Sequence, residues 1–162
     1  MLSLIANRSA LKVAALVLAL AALAVAPASA TPSCNKVVWR VTLEATANSC
    51  GSAIGLCAKG NLFGNVRGTS DFVGTSFLPT VDTATTGVVV VTGDNVIHTS
   101  RGDVQTKDSI VLSTVGKGEF AEVDTVVGGT GDYLGATGVV TATGTFLNGV
   151  GEGITLGEIC TQ

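Results

Sequence analysis

Three side chains could carry proton chemistry in this sequence: His98, Glu122 and Asp124. His98 is the only histidine, and its ordinary pKa near neutrality makes it the first residue to consider as a general base. Glu122 and Asp124 are two residues apart, so they share one face of a predicted strand. If that face points inward, both carboxyls can assist proton transfer. If that face points to water, as most charged side chains do, both carboxyls are only solvated. His98 has the same two alternatives, a catalytic role or a position on the surface.

The residue pattern gives less support to a serine nucleophile, an integrin-binding motif or a metal site. The remaining carboxylates singled out are scattered, at Asp71, Asp82, Asp103 and Asp108, and no G-x-S-x-G nucleophile motif is present. The tripeptide RGD at 101–103 is too short to indicate an integrin ligand. There is no C-x-x-C pair and no ligand pattern around His98, so no metal site and no cofactor are expected.

The glycine-rich segment VVGGTGDYLGATG, residues 126–138, is not a phosphate-binding loop. Leu134 occupies the third position of a G-x-G-x-x-G motif, and a strand-like segment, not a helix, follows it. The segment instead predicts a corner between two strands, covered by Tyr133 and Leu134. Its glycines are expected to allow positive φ in the turn at Gly128, Gly129 and Gly131, and a kink or bulge at Gly135 and Gly138.

The N-terminal segment has the pattern of a secretory signal peptide. Arg8 and Lys12 precede an apolar run at 13–26, and small residues lead to a predicted cleavage after Ala30. Residues 1–30 are therefore interpreted as the signal and 31–162 as one domain, secreted or periplasmic. Loss of the two basic residues changes the net charge from −3 to −5. Without a basic cluster, we expect no nucleic-acid partner and no membrane binding after cleavage.

Four cysteines follow the predicted cleavage site, and an even number in an oxidising compartment indicates disulfides. Four cysteines allow three pairings. We favour Cys34–Cys160, which joins the two ends of the domain, and Cys50–Cys57, which closes a short loop. In the chain-entropy model the long closure stabilises by roughly 4 to 5 kcal/mol and the short one by about 2 kcal/mol.

Val, Thr and Gly dominate after residue 30, and no long segment keeps a helical period, so an all-β fold is predicted. About eight short strands at regular spacing indicate an antiparallel barrel or a sandwich, and a Cys34–Cys160 bond favours a closed barrel. In the clearest strand, Val37, Trp39, Val41 and Leu43 share one face. Strands are predicted at 36–46, in two pieces within 56–80, at 85–92, 96–107, 109–115, 120–127, 138–146 and 153–159, with turns at GDN 93–95 and GKG 116–118.

The segment EVDTVVGGTGDYLGATG, residues 122–138, resembles the VVGGTGxFxxAxG segment of plant dirigent proteins and the GGSGxFxGAxG segment of allene oxide cyclases. It is still more similar to bacterial secreted relatives that also contain a GD…TKD stretch, here 102–108, and a final GEIC, here 157–160. The resemblance implies an eight-stranded antiparallel β-barrel of this calycin-like type, often trimeric. It also implies a barrel that binds a small apolar ligand and guides its cofactor-free coupling or cyclisation.

A second function class stays open beside this one. Leu134 and Thr137 stand where dirigent proteins tend to place arginines, and the chain has few aromatic residues. Both observations favour a non-enzymatic protein of the envelope or extracellular space that acts through its outer face or by self-association.

Overall fold

The computed structural model of the protein describes residues 31–46, 50–79 and 87–162. The predicted signal segment, residues 1–30, lies outside these ranges. The described chain is all-β, as predicted, and forms eight antiparallel strands in one closed barrel that follows chain order. The strands are β1 (Ser33–Ala45), β2 (Cys57–Gly64), β3 (Gly68–Pro79), β4 (Val88–Thr99), β5 (Gly102–Ser113), β6 (Glu119–Gly129), β7 (Thr137–Leu147) and β8 (Val150–Thr161).

Closure of the sheet comes from the pairing of β1 with β8, which excludes the sandwich alternative. Cys34 and Cys160 are direct partners in that register and form a disulfide, so the first strand is covalently tied to the last. Cys50 and Cys57 form the second disulfide, beside the start of β2. Both predicted pairings are therefore confirmed. A closed barrel leaves no free sheet edge for pairing with another chain.

The interior face follows the strict alternation of the strands. Val37, Trp39 and Val41 of β1 are buried, while Val38 and Arg40 between them are exposed. The same period of two places apolar residues from the other strands inside the barrel. The shared face predicted for β1 is thus confirmed, and the structure shows that it points into the barrel.

The predicted boundaries around β4 and β5 are wrong. GDN at 93–95 lies inside β4, and the chain reverses at Ser100 and Arg101. The predicted strand 96–107 is therefore divided between β4 and β5, and the predicted strand 109–115 begins within β5. A Cβ placed on Gly93 would lie 2.2 Å from the Phe72 ring. Glycine is needed here because an aromatic ring of β3 lies against the backbone, and a glycine used for close approach looks like a turn signal in the sequence.

The glycine-rich segment is the β6–β7 connection and contains one 3₁₀ turn at Gly131–Tyr133, so the corner is confirmed. The bulge, however, lies before the turn, because Gln105 pairs with Gly128 while Thr106 pairs with Val126. Positive φ occurs at Gly128, Gly131, Gly135 and Gly138, but not at Gly129. Gly129 is required for space instead, since a Cβ there would lie 2.1 Å from the carbonyl oxygen of Asp103.

The barrel has two different halves. The packed half lies beside the β2–β3, β4–β5 and β6–β7 connections, and its interior is filled by a cluster that includes Val37, Ile97, Val104, Val126, Val140 and Ile159. Tyr133 joins this cluster and covers the end, as predicted. Leu134 does not, because its side chain is 75% exposed. The hollow half lies beside the β1–β2, β5–β6 and β7–β8 connections and contains the cavity described next.

Candidate functional site

The hollow half contains a cavity of about 140 Å³. Its wall is mainly apolar and includes Val41, Leu43, Val91, Ile110, Phe120 and Phe146. Small inward-facing residues leave the space: Ala58 from β2, Ala142 from β7 and Gly153 from β8. The volume is close to that of an apolar protein cavity known to accept benzene, which is about 150 Å³.

Three carboxyl groups point into this cavity from two neighbouring strands, and we call Asp108, Glu122 and Asp124 the acid cluster. Asp108 of β5 pairs directly with Asp124 of β6, and Ile110 pairs with Glu122. One oxygen from each of the three groups lies within 4.8 Å of the others. Strand alternation alone places them together, because all three positions fall on the inward face.

The acid cluster has very few hydrogen-bond donors. Asp108 is 2% exposed and Asp124 is 6% exposed. The Thr106 hydroxyl donates a hydrogen bond of 2.5 Å to Asp108 Oδ1. No donor in the described ranges reaches Asp108 Oδ2, Asp124 Oδ1 or the neighbouring Asn95 Oδ1. Unpaired buried acceptors are costly, so the cluster needs protons or a bound donor.

No positive charge offsets the acid cluster. Among the described residues that line the cavity, none is a lysine, arginine or histidine. Asp94 of β4 faces outward and pairs there with Lys107. Within this described lining, the ionisable side chains are therefore all acidic.

Burial is the main reason why the carboxyl groups hold protons to unusually high pH. The pKa of Asp108 is raised to about 6, that of Glu122 to about 8 and that of Asp124 to about 10 by all causes together, and desolvation is the largest cause for each. Repulsion between the carboxylates also raises the pKa of Glu122 and Asp124, whereas the Thr106 hydrogen bond opposes the rise at Asp108. Near neutral pH the cluster therefore retains protons and can donate hydrogen bonds to a ligand.

His98 is not part of this site, because its side chain lies on the outer wall. Its Nδ1 is 2.9 Å from Asp103 Oδ1, and its Nε2 is 3.2 Å from Asp71 Oδ2. Asp71 also pairs with Lys59 at 2.6 Å. The hydrogen bond to Asp103, and then that to Asp71, raises the pKa of His98, while partial burial opposes the rise. The structure thus brings Glu122 and Asp124 together but leaves His98 in a surface ion-pair network.

Thr106 and Asn95 belong to the site but were not singled out from the sequence, and Asp108 was interpreted there as a scattered carboxylate and not as a partner of Glu122 and Asp124. A usable signal was present: GKG at 116–118 predicts a hairpin, and a hairpin centred on Gly116 pairs residue 108 with 124 and residue 110 with 122. Asp108 would then stand opposite Asp124 on the inward face. Asn95 could not be found this way, because its strand was divided at the wrong place.

The oxygen atoms of the acid cluster are of the type that hard divalent cations prefer. Three carboxyls within 4.8 Å could contact such an ion. Calcium, however, takes six to eight oxygen ligands and magnesium requires six in octahedral geometry. The surrounding wall is mainly apolar, and it offers few further oxygens.

The fold and site define a closed eight-stranded antiparallel β-barrel with an acid cluster inside an apolar cavity. Its two disulfides are typical of a protein in an oxidising environment, extracellular or periplasmic. No helix in the described part of the chain is long and apolar enough to cross a membrane. The chain matches no family model, no curated protein and no solved structure.

Proposed function

We propose that the barrel binds a small, mostly apolar molecule in the hollow half and holds the polar group of that molecule against the acid cluster. One observation carries the proposal: an apolar cavity of about 140 Å³ with three convergent carboxyl groups on one wall. Apolar walls with a few convergent polar groups are the general pattern of small-molecule sites. The resemblance of residues 122–138 to dirigent proteins and allene oxide cyclases independently supports the same class of ligand.

The same geometry supports a role in guiding a reaction without a cofactor. A carboxylic acid kept neutral by an apolar surrounding can donate a hydrogen bond or a proton to an oxygen on the ligand. Asp124 is the best donor of the three, because it lines the cavity and its pKa, raised to about 10, keeps it protonated near neutral pH. The apolar wall would keep water away from a reactive intermediate and hold it in one orientation.

We place this activity outside the cytosol. The two disulfides and the signal-like pattern ending at Ala30 support export followed by cleavage. N-terminal sequencing of the exported protein tests this part alone, with Thr31 expected as the first residue.

Trp39 gives a direct test of binding, because it is the only tryptophan and lines the cavity. The natively exported protein is examined by native mass spectrometry for a retained small molecule, and Trp39 emission is followed during titration with benzyl alcohol. We expect a bound species and a change in emission. Ala142→Leu, which fills the cavity beside Glu122, should abolish both, with Ala58→Val as a milder filling variant and the exposed Glu158→Gln as the control. No retained species together with unchanged emission would refute the proposal.

A second function class is favoured by the outer wall. Val123, Thr141, Leu156 and Val38 form one continuous row across β6, β7, β8 and β1, and the three apolar side chains are about half exposed. Such a row suits self-association of a non-enzymatic extracellular protein. Sedimentation analysis of the wild type and of Leu156→Lys tests it: an oligomer, the trimer expected from the resemblance, that dissociates in the variant would support this function, and a wild-type monomer would oppose it.

A further inference from the structure

The acid cluster has a surplus of hydrogen-bond acceptors. Asn95 Oδ1, Asp108 Oδ2 and Asp124 Oδ1 all lack a donor, and the two aspartates are more than nine-tenths buried. The lining residues include no basic side chain to supply the missing donors. A ligand that brings its own donors and a positive charge would complement these acceptors.

We propose that the occupant of the cavity is a primary amine with an apolar body, whose protonated ammonium group binds the acid cluster and whose body fills the apolar part of the hollow half. This inference rests on the proposed function, since it names the class of ligand that the same cavity binds. The ammonium group has three donors and no acceptor, and two of the three carboxyls that it would contact, Asp108 and Asp124, each have a buried oxygen without a donor.

The spacing of the acid cluster fits such a group. One ammonium nitrogen that makes three hydrogen bonds of about 2.8 Å in tetrahedral directions reaches oxygens about 4.6 Å apart. The oxygens of Asp108, Glu122 and Asp124 lie within 4.8 Å of one another. The rings of Phe72, Phe120 and Trp39 also line the cavity, and aromatic faces attract a desolvated cation.

An amine explains the whole cavity, whereas a divalent ion explains only one wall. A bare ion would occupy the carboxyl groups and leave the apolar space unfilled, and its remaining ligands would have to be water beside Phe120 and Val91. An amine uses both parts of the cavity at once. The volume of about 140 Å³ is suited to a body the size of one benzene ring.

Binding of an ammonium group should release a proton from the acid cluster to solvent. The cation favours the ionised carboxylate, whereas the empty cavity favours the neutral acid. The titratable groups that face the ligand are Asp108 from β5 and Glu122 and Asp124 from β6; Asn95 of β4, Ala142 of β7 and Thr155 of β8 contribute uncharged side chains. Amine affinity should therefore rise with pH as long as the amine stays protonated.

The test compares benzylamine, benzyl alcohol and benzoate, which share one ring and differ in the polar group. Binding is measured by Trp39 emission and by calorimetry in two buffers of different ionisation enthalpy. We expect benzylamine to bind at least about tenfold more tightly than benzyl alcohol, benzoate to bind most weakly, and a proton to be released with the amine only. Affinity for benzylamine, but not for benzyl alcohol, should rise between about pH 6 and 8.5.

Substitutions separate the ligand class from binding itself. Asp124→Asn, and Glu122→Gln as a second variant in case the first does not fold, should remove the preference for benzylamine while benzyl alcohol still binds. Glu158→Gln on the outer wall of β8 should change neither affinity.

The outcomes distinguish this inference from the function on which it rests. Equal affinity for benzylamine and benzyl alcohol would overturn the amine and leave the apolar-ligand function standing. Failure of all three probes to bind would overturn both. Tight binding of Ca²⁺ or Mg²⁺ that is lost in Asp124→Asn, with no preference for benzylamine, would assign the acid cluster to a metal ion and also overturn the amine.

Discussion

The two halves of the barrel are built from the same alternating strands but differ in what fills them. In the packed half, Val104 is 0% exposed and Val140 is 1% exposed, and Tyr133 covers the end. In the hollow half the corresponding layer contains Ala58, Ala142 and three carboxyl groups. The comparison indicates that one half stabilises the fold, which lets the other half keep a cavity and buried acids that reduce stability.

Each half has one disulfide, and removing them in turn should have the largest effects. Cys34→Ala with Cys160→Ala removes a bond in the packed half that joins residues 126 apart in the sequence, whereas Cys50→Ala with Cys57→Ala removes a bond beside the hollow half that joins residues 7 apart. On the chain-entropy model we expect losses of about 5 and about 2 kcal/mol in the free energy of unfolding. Urea unfolding of both variants measures them, and equal losses would contradict the comparison.

The acid cluster should make the hollow half sensitive to alkali. Its folded pKa values are raised, so its contribution to stability is complete below about pH 4, the ordinary carboxyl pKa, and is lost as the pH rises through about 6, 8 and 10. Each proton that the folded cluster holds in excess of the unfolded chain lowers the free energy of unfolding by about 1.4 kcal/mol per pH unit, so the free energy of unfolding should fall from pH 5 to 8.

Urea unfolding across this pH window tests the effect. The His98→Asn background removes the other group expected to titrate there, and Asp124→Asn in that background should flatten the profile. A free energy of unfolding that is constant or increases from pH 5 to 8 would show that the cluster does not retain protons in the folded state.

The fold was largely predictable because it depends on local patterns. Alternation along residues 36–46 predicts a strand, and GKG at 116–118 predicts one hairpin. The even number of cysteines, together with their positions at the two ends and in one short loop, favours both observed disulfides without any knowledge of long-range contacts. The GDN segment was wrongly predicted as a turn, because Gly93 lies inside a strand and makes room there for the Phe72 ring of a neighbouring strand. Such a requirement is set by tertiary packing, which no local window contains.

The site was only partly predictable for the same reason. Glu122 and Asp124 could be placed on one face, but which face points inward depends on closure of the whole barrel. Charged residues are mostly exposed, and that general expectation is wrong for this pair. Conversely, His98 has the chemistry of a general base, yet the same closure places it outside, between Asp71 and Asp103.

Matched isoleucine substitutions should show the difference in packing between the two halves. Ile159 of β8 is buried in the packed half, whereas Ile110 of β5 lines the cavity and is only partly buried. Ile159→Ala should cost about 3 kcal/mol of stability, because it leaves a new hole in a filled layer. Ile110→Ala should cost about half of that or less, because it enlarges a space already present. Similar losses from chemical denaturation would mean that the hollow half is as tightly packed as the other.

The smallest effect concerns His98 on the outer wall, whose pKa should be shifted by a different cause from the pKa values of the acids inside the cavity. The pKa of His98 is raised by hydrogen bonding to Asp103 and Asp71, whereas the pKa of each cluster acid is raised by burial. As the only histidine, His98 gives a single resolved NMR titration. We expect a pKa above 6.5 that falls towards this value in Asp103→Asn and with added salt, because an exposed ion pair is screened. Glu122→Gln should leave it unchanged, and a response of His98 to that substitution would show that the two networks are coupled through the barrel wall.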